Sequence, residues 1–332
     1  TLVIVDLFLV NLKVIKPGPK ADETQYFAEN STVRFLKKED EPFRIFPVAN
    51  EKGATSNWYS YFFIQSITGY SAAKLKIYQD FLDETGFAVQ DRNGRNPFLI
   101  KYYRLITHQG QLTQIPIPLQ QIDSKLLAFH NAMLDMLNVK YLISHQQPID
   151  DPRFQQVAEE PSVYRNTQAL DRAWFVDDIQ VISGRSNIFS RMKDGTFNPA
   201  QSAILEEIPE FDIMPGNSNR VHVTHYDIHN IRLSADVKNP ALMVLSEIYY
   251  PAGWKAFVNG RETKIYKSNY ILRSIFLPPG QHDIEFVFKP TSFMLGVWIT
   301  VIMFSLLMLL LLVELYQRYR NQLLLRFRKK SQ

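Results

Sequence analysis

One uninterrupted apolar stretch constrains this chain more than any other feature. Residues Phe293 to Val313 run for about 21 residues without a charge, enough for a helix to cross the roughly 30 Å hydrocarbon core of a bilayer. A single helix pairs its backbone polar groups internally, as the bilayer interior requires. The sequence therefore predicts a transmembrane helix over residues 291–314. The alternative, a buried helix of a globular domain, is disfavoured because no charge or turn residue interrupts the stretch.

The residues after this stretch predict its orientation. Positive residues close to a membrane end usually stay in the cytoplasm. We therefore expect residues 315–332 to form a basic cytoplasmic tail and the part before the helix to be extracytoplasmic. The basic residues concerned are Arg318, Arg320, Arg326, Arg328, Lys329 and Lys330.

The first 16 residues are apolar but too short for a complete membrane span, and they include Asp6 and Asn11. We interpret residues 1–16 as the outer end of a membrane helix whose beginning is missing from the sequence. The alternative is a buried strand or helix of the soluble part. Pro17, Gly18 and Pro19 break this element.

Composition excludes several classes of function. A net charge of +4 that partly reflects the basic tail does not indicate nucleic acid binding. The chain has no cysteine, so it has no disulfide, thiolate metal site or cysteine nucleophile. We expect no cofactor.

Residues 17–210 predict a mixed α/β domain. The clearest helix is Ile122–Leu137, which Asp123 or Ser124 can cap, and an apolar strand at Val139–Ser144 follows it at once. A second, amphipathic helix is predicted at Ser71–Asp83 and a weakly alternating strand at Leu99–Ile106.

Residues 211–290 predict an antiparallel β-sandwich, because apolar and polar residues alternate after a linker at Phe211–Asn219. Asn259-Gly260 between two such runs is a strong hairpin signal, since both turn positions favour positive φ. The predicted fold class is therefore α+β: a mixed α/β region, then an antiparallel sandwich, then a C-terminal transmembrane helix.

Several blocks of sequence resemble the YfhO family of bacterial membrane proteins. The most specific of them contains Tyr250, Pro251, Gly253 and Trp254, with Ala252 as a one-residue departure from the usual family pattern. The remaining blocks are Leu245–Tyr249, Val258–Gly260, Pro279–His282, Pro290–Phe293, Leu137–Ile143, and Gly69–Tyr70 with Tyr78–Asp80.

The resemblance implies a multi-pass glycosyltransferase of the GT-C type in the bacterial cytoplasmic membrane. Such proteins are similar to enzymes that move a sugar from a polyprenyl-phosphate carrier to an envelope glycopolymer such as teichoic acid. Their acidic catalytic residue lies in the first outer loop of a helix bundle, which would precede Thr1. The resemblance therefore assigns no catalytic residue here and implies an upstream transmembrane bundle as partner. The alternative function is a noncatalytic envelope protein that binds or scaffolds.

Two groups of aromatic and basic residues are candidate glycan- or phosphate-binding sites. Aromatic rings stack on the apolar faces of sugars, and lysine can meet a phosphate. The alternative is core packing or anchoring at the membrane interface. The candidates are Trp58, Tyr59, Tyr70 and Lys74 in the first group, and Tyr250, Trp254 and Lys255 in the second.

The other polar clusters are better explained by structural roles than by catalysis or metal binding. His222 and His225 would point to opposite faces of a regular strand, so with His229 they predict no metal site. Asp80, Asp83 and Glu84 lie on a predicted amphipathic helix, where a solvated face is a better interpretation than an acid/base pair.

Overall fold

The computed structural model of the chain describes residues 5–10, 27–48, 57–87, 103–108, 111–145, 149–216 and 218–330. The chain forms two compact units. The first comprises Thr1–Asp171 and Phe189–Phe197, and the second comprises Arg172–Ile188 and Asn198–Gln332.

Helices and strands alternate in the first half of the chain, and strands dominate the second. The helices are residues 5–10 (α1), Ser31–Leu36 (α2), Trp58–Tyr61 (α3), Lys76–Thr85 (α4), Ser124–Met136 (α5), Arg185–Met192 (α6) and Thr291–Lys330 (α7), with a 3₁₀ turn at Leu119–Gln121. The strands are Arg44–Pro47 (β1), Gln65–Ser66 (β2), Tyr103–His108 (β3), Gln111–Pro116 (β4), Val139–Ile143 (β5), Phe154–Val157 (β6), Glu160–Asn166 (β7), Ala173–Val176 (β8), Asp178–Val181 (β9), Ser202–Leu205 (β10), Arg220–Tyr226 (β11), Asn230–Val237 (β12), Ala241–Ile248 (β13), Trp254–Val258 (β14), Arg261–Thr263 (β15), Tyr266–Ser268 (β16), Leu272–Leu277 (β17) and Gly280–Phe288 (β18).

The first unit is built on a mixed sheet in the order β2-β1-β5-β7-β6. Strands β2, β1 and β5 run parallel, and β5, β7 and β6 are antiparallel neighbours. The predicted helix–strand pair is confirmed as α5 and β5. Asp123 caps α5 by accepting a hydrogen bond from the Lys125 amide, and Asn138, with a φ of 56°, turns the chain into β5.

Two sequence predictions in the first unit need correction. The amphipathic helix begins at Lys76 rather than Ser71, because Leu75 has an extended backbone and serves as the N-cap. Strand β3 overlaps the strand predicted at Leu99–Ile106 but continues two residues further, to His108, and it pairs with β4 in a hairpin. Residues 99–102 lie outside the described residues.

The second unit contains two sheets that enclose one core, which confirms the predicted sandwich. The six-stranded sheet has the order β8-β13-β17-β16-β10-β9, and the five-stranded sheet has the order β11-β12-β18-β14-β15. Buried side chains from both sheets form a single cluster. They are Ala173, Ile231, Leu233, Ala235, Val237, Ala241, Met243, Leu245, Ala256, Ile275, Leu277, Ile284 and Phe286.

The six-stranded sheet curls strongly. Its two edge strands, β8 and β9, are joined by the single residue Asp177, so the two ends of the strand order must lie close together. Its strands β8, β9 and β10 precede the segment Phe211–Asn219 that we interpreted as a linker. The Asn259-Gly260 hairpin is confirmed: φ is 50° and 78° at the two residues, and β14 pairs with β15.

Helix α7 contains the predicted apolar stretch. Within the described part of the chain, Thr291–Arg320 is the helix long and apolar enough to cross a membrane, and none of its apolar window is buried. The Thr300 hydroxyl donates to the Gly296 carbonyl at 2.8 Å, so this polar group is satisfied within the helix. The helix continues to Lys330, so the basic tail extends the same helix as far as that residue. Residues 5–10 are also helical, and their side chains are exposed.

Candidate functional site

The end of the sandwich from which α7 departs brings together residues from several strands. Strand β18 ends at Phe288, three residues before Thr291 begins α7. Phe288 pairs with Trp254 across β14, and its amide donates to the His229 carbonyl at 2.9 Å. The turn between β11 and β12 and the start of β14 are therefore held beside the first residues of the membrane helix.

Aromatic rings gather around Phe288 at this end. Its ring centroid lies 5.5 Å from that of Trp254, 5.8 Å from that of His229 and 6.3 Å from that of Tyr250. The His229 and Tyr250 rings are stacked on Phe288, and the Trp254 ring is tilted against it. We call these four residues the Phe288 cluster. Such contacts fix the rings in place and leave the Tyr250 side chain 38% exposed.

Gly253 makes the approach of Phe288 possible. A Cβ atom at this position would lie 2.2 Å from Phe288 Cε2, far inside van der Waals contact. The Lys289 amide also donates to the Gly253 carbonyl at 2.6 Å. The glycine beside the tryptophan in the family-like block therefore has a steric reason: the Phe288 ring lies directly over its backbone.

Behind the Phe288 cluster, two arginines share one carboxylate inside the sandwich. Arg172 and Arg273 are 3% and 2% exposed. Arg172 pairs with Glu247, Arg273 lies 3.8 Å from the same carboxylate, and the Tyr226 hydroxyl donates to it at 2.8 Å. We call these four residues the arginine network. Removing one partner of such a buried pair typically costs about 3–5 kcal/mol, because a desolvated charge remains.

Trp254 connects the arginine network to the Phe288 cluster. The Arg273 guanidinium carbon lies 4.1 Å from the Trp254 ring centroid and 5.7 Å from that of Phe286. The Arg172 guanidinium lies 4.8 Å from the Tyr226 ring centroid. The two guanidinium groups share the Glu247 carboxylate in the interior of the sandwich, where charge interactions are stronger than in water. Glu247 is held by Arg172, Arg273 and the Tyr226 hydroxyl.

The second group of predicted site residues is thus partly assembled. Tyr250 and Trp254 belong to the Phe288 cluster. Lys255 points to the opposite face of β14 and forms an ion pair with Glu262 at 3.0 Å. The lysine therefore lies apart from the two rings, and Arg273 supplies the cation that contacts Trp254.

The first group is not assembled as a stacking surface. Trp58 and Tyr59 are buried in a core cluster with Phe62, which favours the packing alternative for both residues. Tyr70 is exposed, and Lys74 is half-buried. The Asn57 side chain fixes the Tyr70 backbone with hydrogen bonds of 2.7 and 3.0 Å.

Besides Tyr70, this region exposes two aromatic residues that we did not select. Helix α3 turns Trp58, Tyr59 and Phe62 inward, so Tyr61 and Phe63 face solvent. Phe63 is 94% exposed and has a φ of 61°, which is strained for a bulky residue. Helical spacing of residues 58, 59 and 62 was the available signal for the inward face.

The histidine argument was wrong in its geometry. The register shifts between Val223 and His225, and this bulge pairs His222 with Ser234 and His225 with Arg232. Their partners are two residues apart, so both histidines lie on the same exposed face of the sheet. In the part of the chain that the structure describes, no three His, Cys, Asp or Glu side chains are grouped closely enough to hold a metal ion.

The carboxylates of helix α4 are engaged by neighbouring side chains. Asp80 pairs with Lys76 at 2.7 Å, Asp83 accepts a hydrogen bond from Gln79, and Glu84 pairs with Lys193 at 2.5 Å. Charged pairs at helical spacing are typical of a solvated helix face. This arrangement favours that interpretation over an acid/base pair.

The arginine network was missed by the sequence analysis. Arg273 lies two residues before Ile275 and four before Leu277, both of which face the sandwich core, so strand alternation could have placed it inside. Arg172 carries no comparable signal, because it lies outside any strand and reaches the network through tertiary folding.

A β-sandwich with a buried core continues directly into an exposed apolar helix. This arrangement is that of a membrane-anchored protein of mixed α/β architecture. Comparison with known families identifies which one: residues 212–300 match the family described as "Bacterial membrane protein YfhO". This matched region, which contains the Phe288 cluster and the start of α7, is similar to that family. The match does not reach the family-like blocks at Leu137–Ile143 and Gly69–Tyr70. No curated protein and no solved structure matches the chain.

Proposed function

We propose that this chain is the extracytoplasmic module and last transmembrane helix of a membrane glycosyltransferase of the GT-C type. The enzyme would move a sugar from a polyprenyl-phosphate carrier to a cell-envelope glycopolymer. In this proposal the chain positions the acceptor, and an upstream transmembrane bundle of the same multi-pass protein supplies catalysis. The family match over residues 212–300 carries the proposal.

The geometry of the sandwich end supports a positioning role. Tyr250 offers a partly exposed ring on a rigid support, since Phe288 and Gly253 fix its position. Behind it, the buried guanidinium of Arg273 supports the Trp254 ring of the same cluster.

A noncatalytic envelope scaffold is the second candidate, and one observation favours it. Glu247, three residues before Tyr250 in the chain, is held by two arginines and a tyrosine. A scaffold would use the same surface for binding alone, with no transfer reaction in the full-length protein.

Transfer kinetics separate the two candidates. The full-length protein in membrane vesicles would be given undecaprenyl phosphate carrying radiolabelled glucose or N-acetylglucosamine, with purified teichoic acid as acceptor. If Tyr250 stacks on acceptor, Tyr250→Ala should weaken binding by about 1–3 kcal/mol, by analogy with aromatic stacking on other flat ligands. The KM for acceptor should then rise by roughly 5- to 150-fold while kcat stays within about twofold.

Tyr70→Ala is the matched variant, because it removes an exposed tyrosine from the first unit. It tests the other group of candidate residues independently. A fall in kcat at saturating acceptor for Tyr250→Ala, with an unchanged melting temperature, would place this residue in the chemical step and contradict the proposal. Absence of transfer by the wild-type protein with every donor would favour the scaffold.

The proposed orientation needs its own test. Single cysteines at Lys193 and Ser331 would be probed in intact cells with a membrane-impermeant maleimide. We expect labelling of Lys193→Cys alone, because basic residues follow the apolar stretch. Labelling of Ser331→Cys but not of Lys193→Cys would reverse the orientation.

A further inference from the structure

Two turns flank the point where the chain leaves the sandwich for α7, and both expose apolar side chains. The first turn, Asp227–His229, carries Ile228 at its tip with 78% of the residue exposed. The second, Tyr250–Gly253, exposes Tyr250, Pro251 and Ala252. An isolated isoleucine on a surface needs no explanation. Here, however, two turns with exposed apolar side chains both lie beside the start of α7.

Both turns are rigid. The Asp227 amide donates to the Asn230 carbonyl at 2.8 Å, and the Asp227 carboxylate accepts from the Ile228 amide at 2.7 Å. His229 is held to Phe288 through its carbonyl and by its stacked ring. In the second turn the Trp254 amide donates to the Tyr250 carbonyl at 3.3 Å. The positions of Ile228 and Tyr250 relative to Phe288 are therefore set by the fold.

The chain itself indicates what lies beside these turns. Two residues, Lys289 and Pro290, separate Phe288 from Thr291 at the start of α7, so these two ends lie at most about 10 Å apart. The uncharged stretch begins two residues later at Phe293, about 3 Å further along a helix axis. The polar headgroup layer adds roughly 6 Å to each side of the hydrocarbon core. Phe288 therefore lies no more than about 7 Å beyond the headgroup layer, a gap that the side chains of a turn bonded to it can span.

We propose that the turns Asp227–His229 and Tyr250–Gly253 rest on the headgroup layer of the bilayer that α7 crosses, with Ile228, Pro251 and Ala252 as contact residues and Tyr250 beside them. Tyrosine favours this interface because its ring is apolar and its hydroxyl is polar. Exposed Lys289, between the sandwich and the helix, suits the lipid phosphates. This contact would fix the angle between the sandwich and the membrane independently of any sugar transfer.

The test uses fluorophores on single cysteines, which this cysteine-free chain makes simple. Ile228→Cys and Ala252→Cys would carry an environment-sensitive nitrobenzoxadiazole label, in full chains reconstituted into phosphatidylethanolamine–phosphatidylglycerol vesicles. Both positions are exposed, so labelling should leave the fold intact, and circular dichroism would check this. The matched control is Lys238→Cys, beyond the far end of β12. Val237 pairs there with Gly280, eight residues along β18 from Phe288, or roughly 27 Å.

We expect a nitroxide attached to the lipid headgroup to quench the labels at 228 and 252 at least threefold more strongly than the label at 238. Equal, weak quenching at all three positions would overturn the proposal. A blue-shifted emission at 228 without nitroxide quenching would also overturn it, because protein rather than lipid would then cover the turn. Neither outcome depends on enzymatic activity, so failure of this proposal can be distinguished from failure of the proposed function, which the transfer kinetics test.

Discussion

Replacing Gly253 with alanine tests whether close packing of Phe288 holds the end of the sandwich together. The added Cβ would lie 2.2 Å from Phe288 Cε2 and 2.8 Å from two further ring atoms. Ordinary contact begins near 3.4 Å, so the ring must retreat by about 1.2 Å. Retreat is difficult, because His229, Tyr250 and Trp254 surround the ring. We expect a loss of about 1–3 kcal/mol, the usual range for overpacking.

Thermal unfolding of the full chain in nanodiscs, followed by circular dichroism, would measure this loss. For a protein part of this size, each kcal/mol lowers Tm by about 2–4 °C, so Gly253→Ala should lower it by roughly 2–12 °C. Gly296→Ala is the matched control: a Cβ at this position of α7 meets nothing within 4 Å. It should leave Tm almost unchanged.

A double-mutant cycle identifies the cause. Phe288→Ala removes all three clashing ring atoms, so Gly253→Ala should cost less than about 0.5 kcal/mol in that background. An equal cost of Gly253→Ala with and without the Phe288 ring would refute the steric argument. An unchanged Tm for Gly253→Ala in the wild-type background would refute it as well.

Three further predictions concern the first unit. Burial alone would raise the pKa of Glu39, but hydrogen bonds from Lys140 and Tyr141 outweigh it and hold the pKa below 4.5. The stability that this lowered pKa contributes is present above about pH 4.5 and is lost as pH falls through the folded-state pKa. Glu39→Gln should therefore flatten this part of an acid-unfolding curve. A curve identical to that of the wild-type protein would contradict the assignment. Asn138 combines a φ of 56° with a 2.8 Å hydrogen bond from its side chain to the Leu170 carbonyl. In urea unfolding, Asn138→Ala should lower the free energy of unfolding by about 2 kcal/mol, and Asn138→Gly by about 1 kcal/mol less, because glycine avoids the backbone strain. Equal losses for the two variants would argue against strain. In the same unfolding assay, Trp58→Ala should lower the free energy of unfolding by about 3–5 kcal/mol because the Trp58 ring is buried. Tyr70→Ala should change it by no more than about 0.5 kcal/mol. If Trp58→Ala were as stable as the wild-type protein, Trp58 would again be a candidate for ligand contact.

The elements that the sequence predicted best have strong local signals. The Asn259-Gly260 hairpin depends on two residues that tolerate positive φ, and α7 depends on length and the absence of charge. The Ile122–Leu137 prediction missed only terminal residues, since Asp123 and Asn138 mark both ends chemically. In each case the decisive interaction lies within a few residues of the chain.

The parts that could not be predicted depend on distant contacts. The bulge between Val223 and His225 is set by pairing with β12 and reverses the expected direction of one histidine. The arginine network joins Arg172, Tyr226, Glu247 and Arg273 from four segments, so no spacing reveals it. Strands β8 to β10 join a sheet whose remaining strands follow 35 or more residues later, which a linker signal at 211–219 could not show.

The position of β18 has a consequence for the order in which the protein can assemble during synthesis. This strand lies between β12 and β14 in the five-stranded sheet, yet it is made after the other four strands of that sheet. Until Gly280–Phe288 emerges from the ribosome, β11–β12 and β14–β15 remain two separate hairpins with no strand between them. Closure of the sandwich therefore waits for residues that lie immediately ahead of α7, and the long sequence separations make that closure slow. A nascent chain stalled before residue 280 would expose two unpaired strand edges, a recognised cause of aggregation.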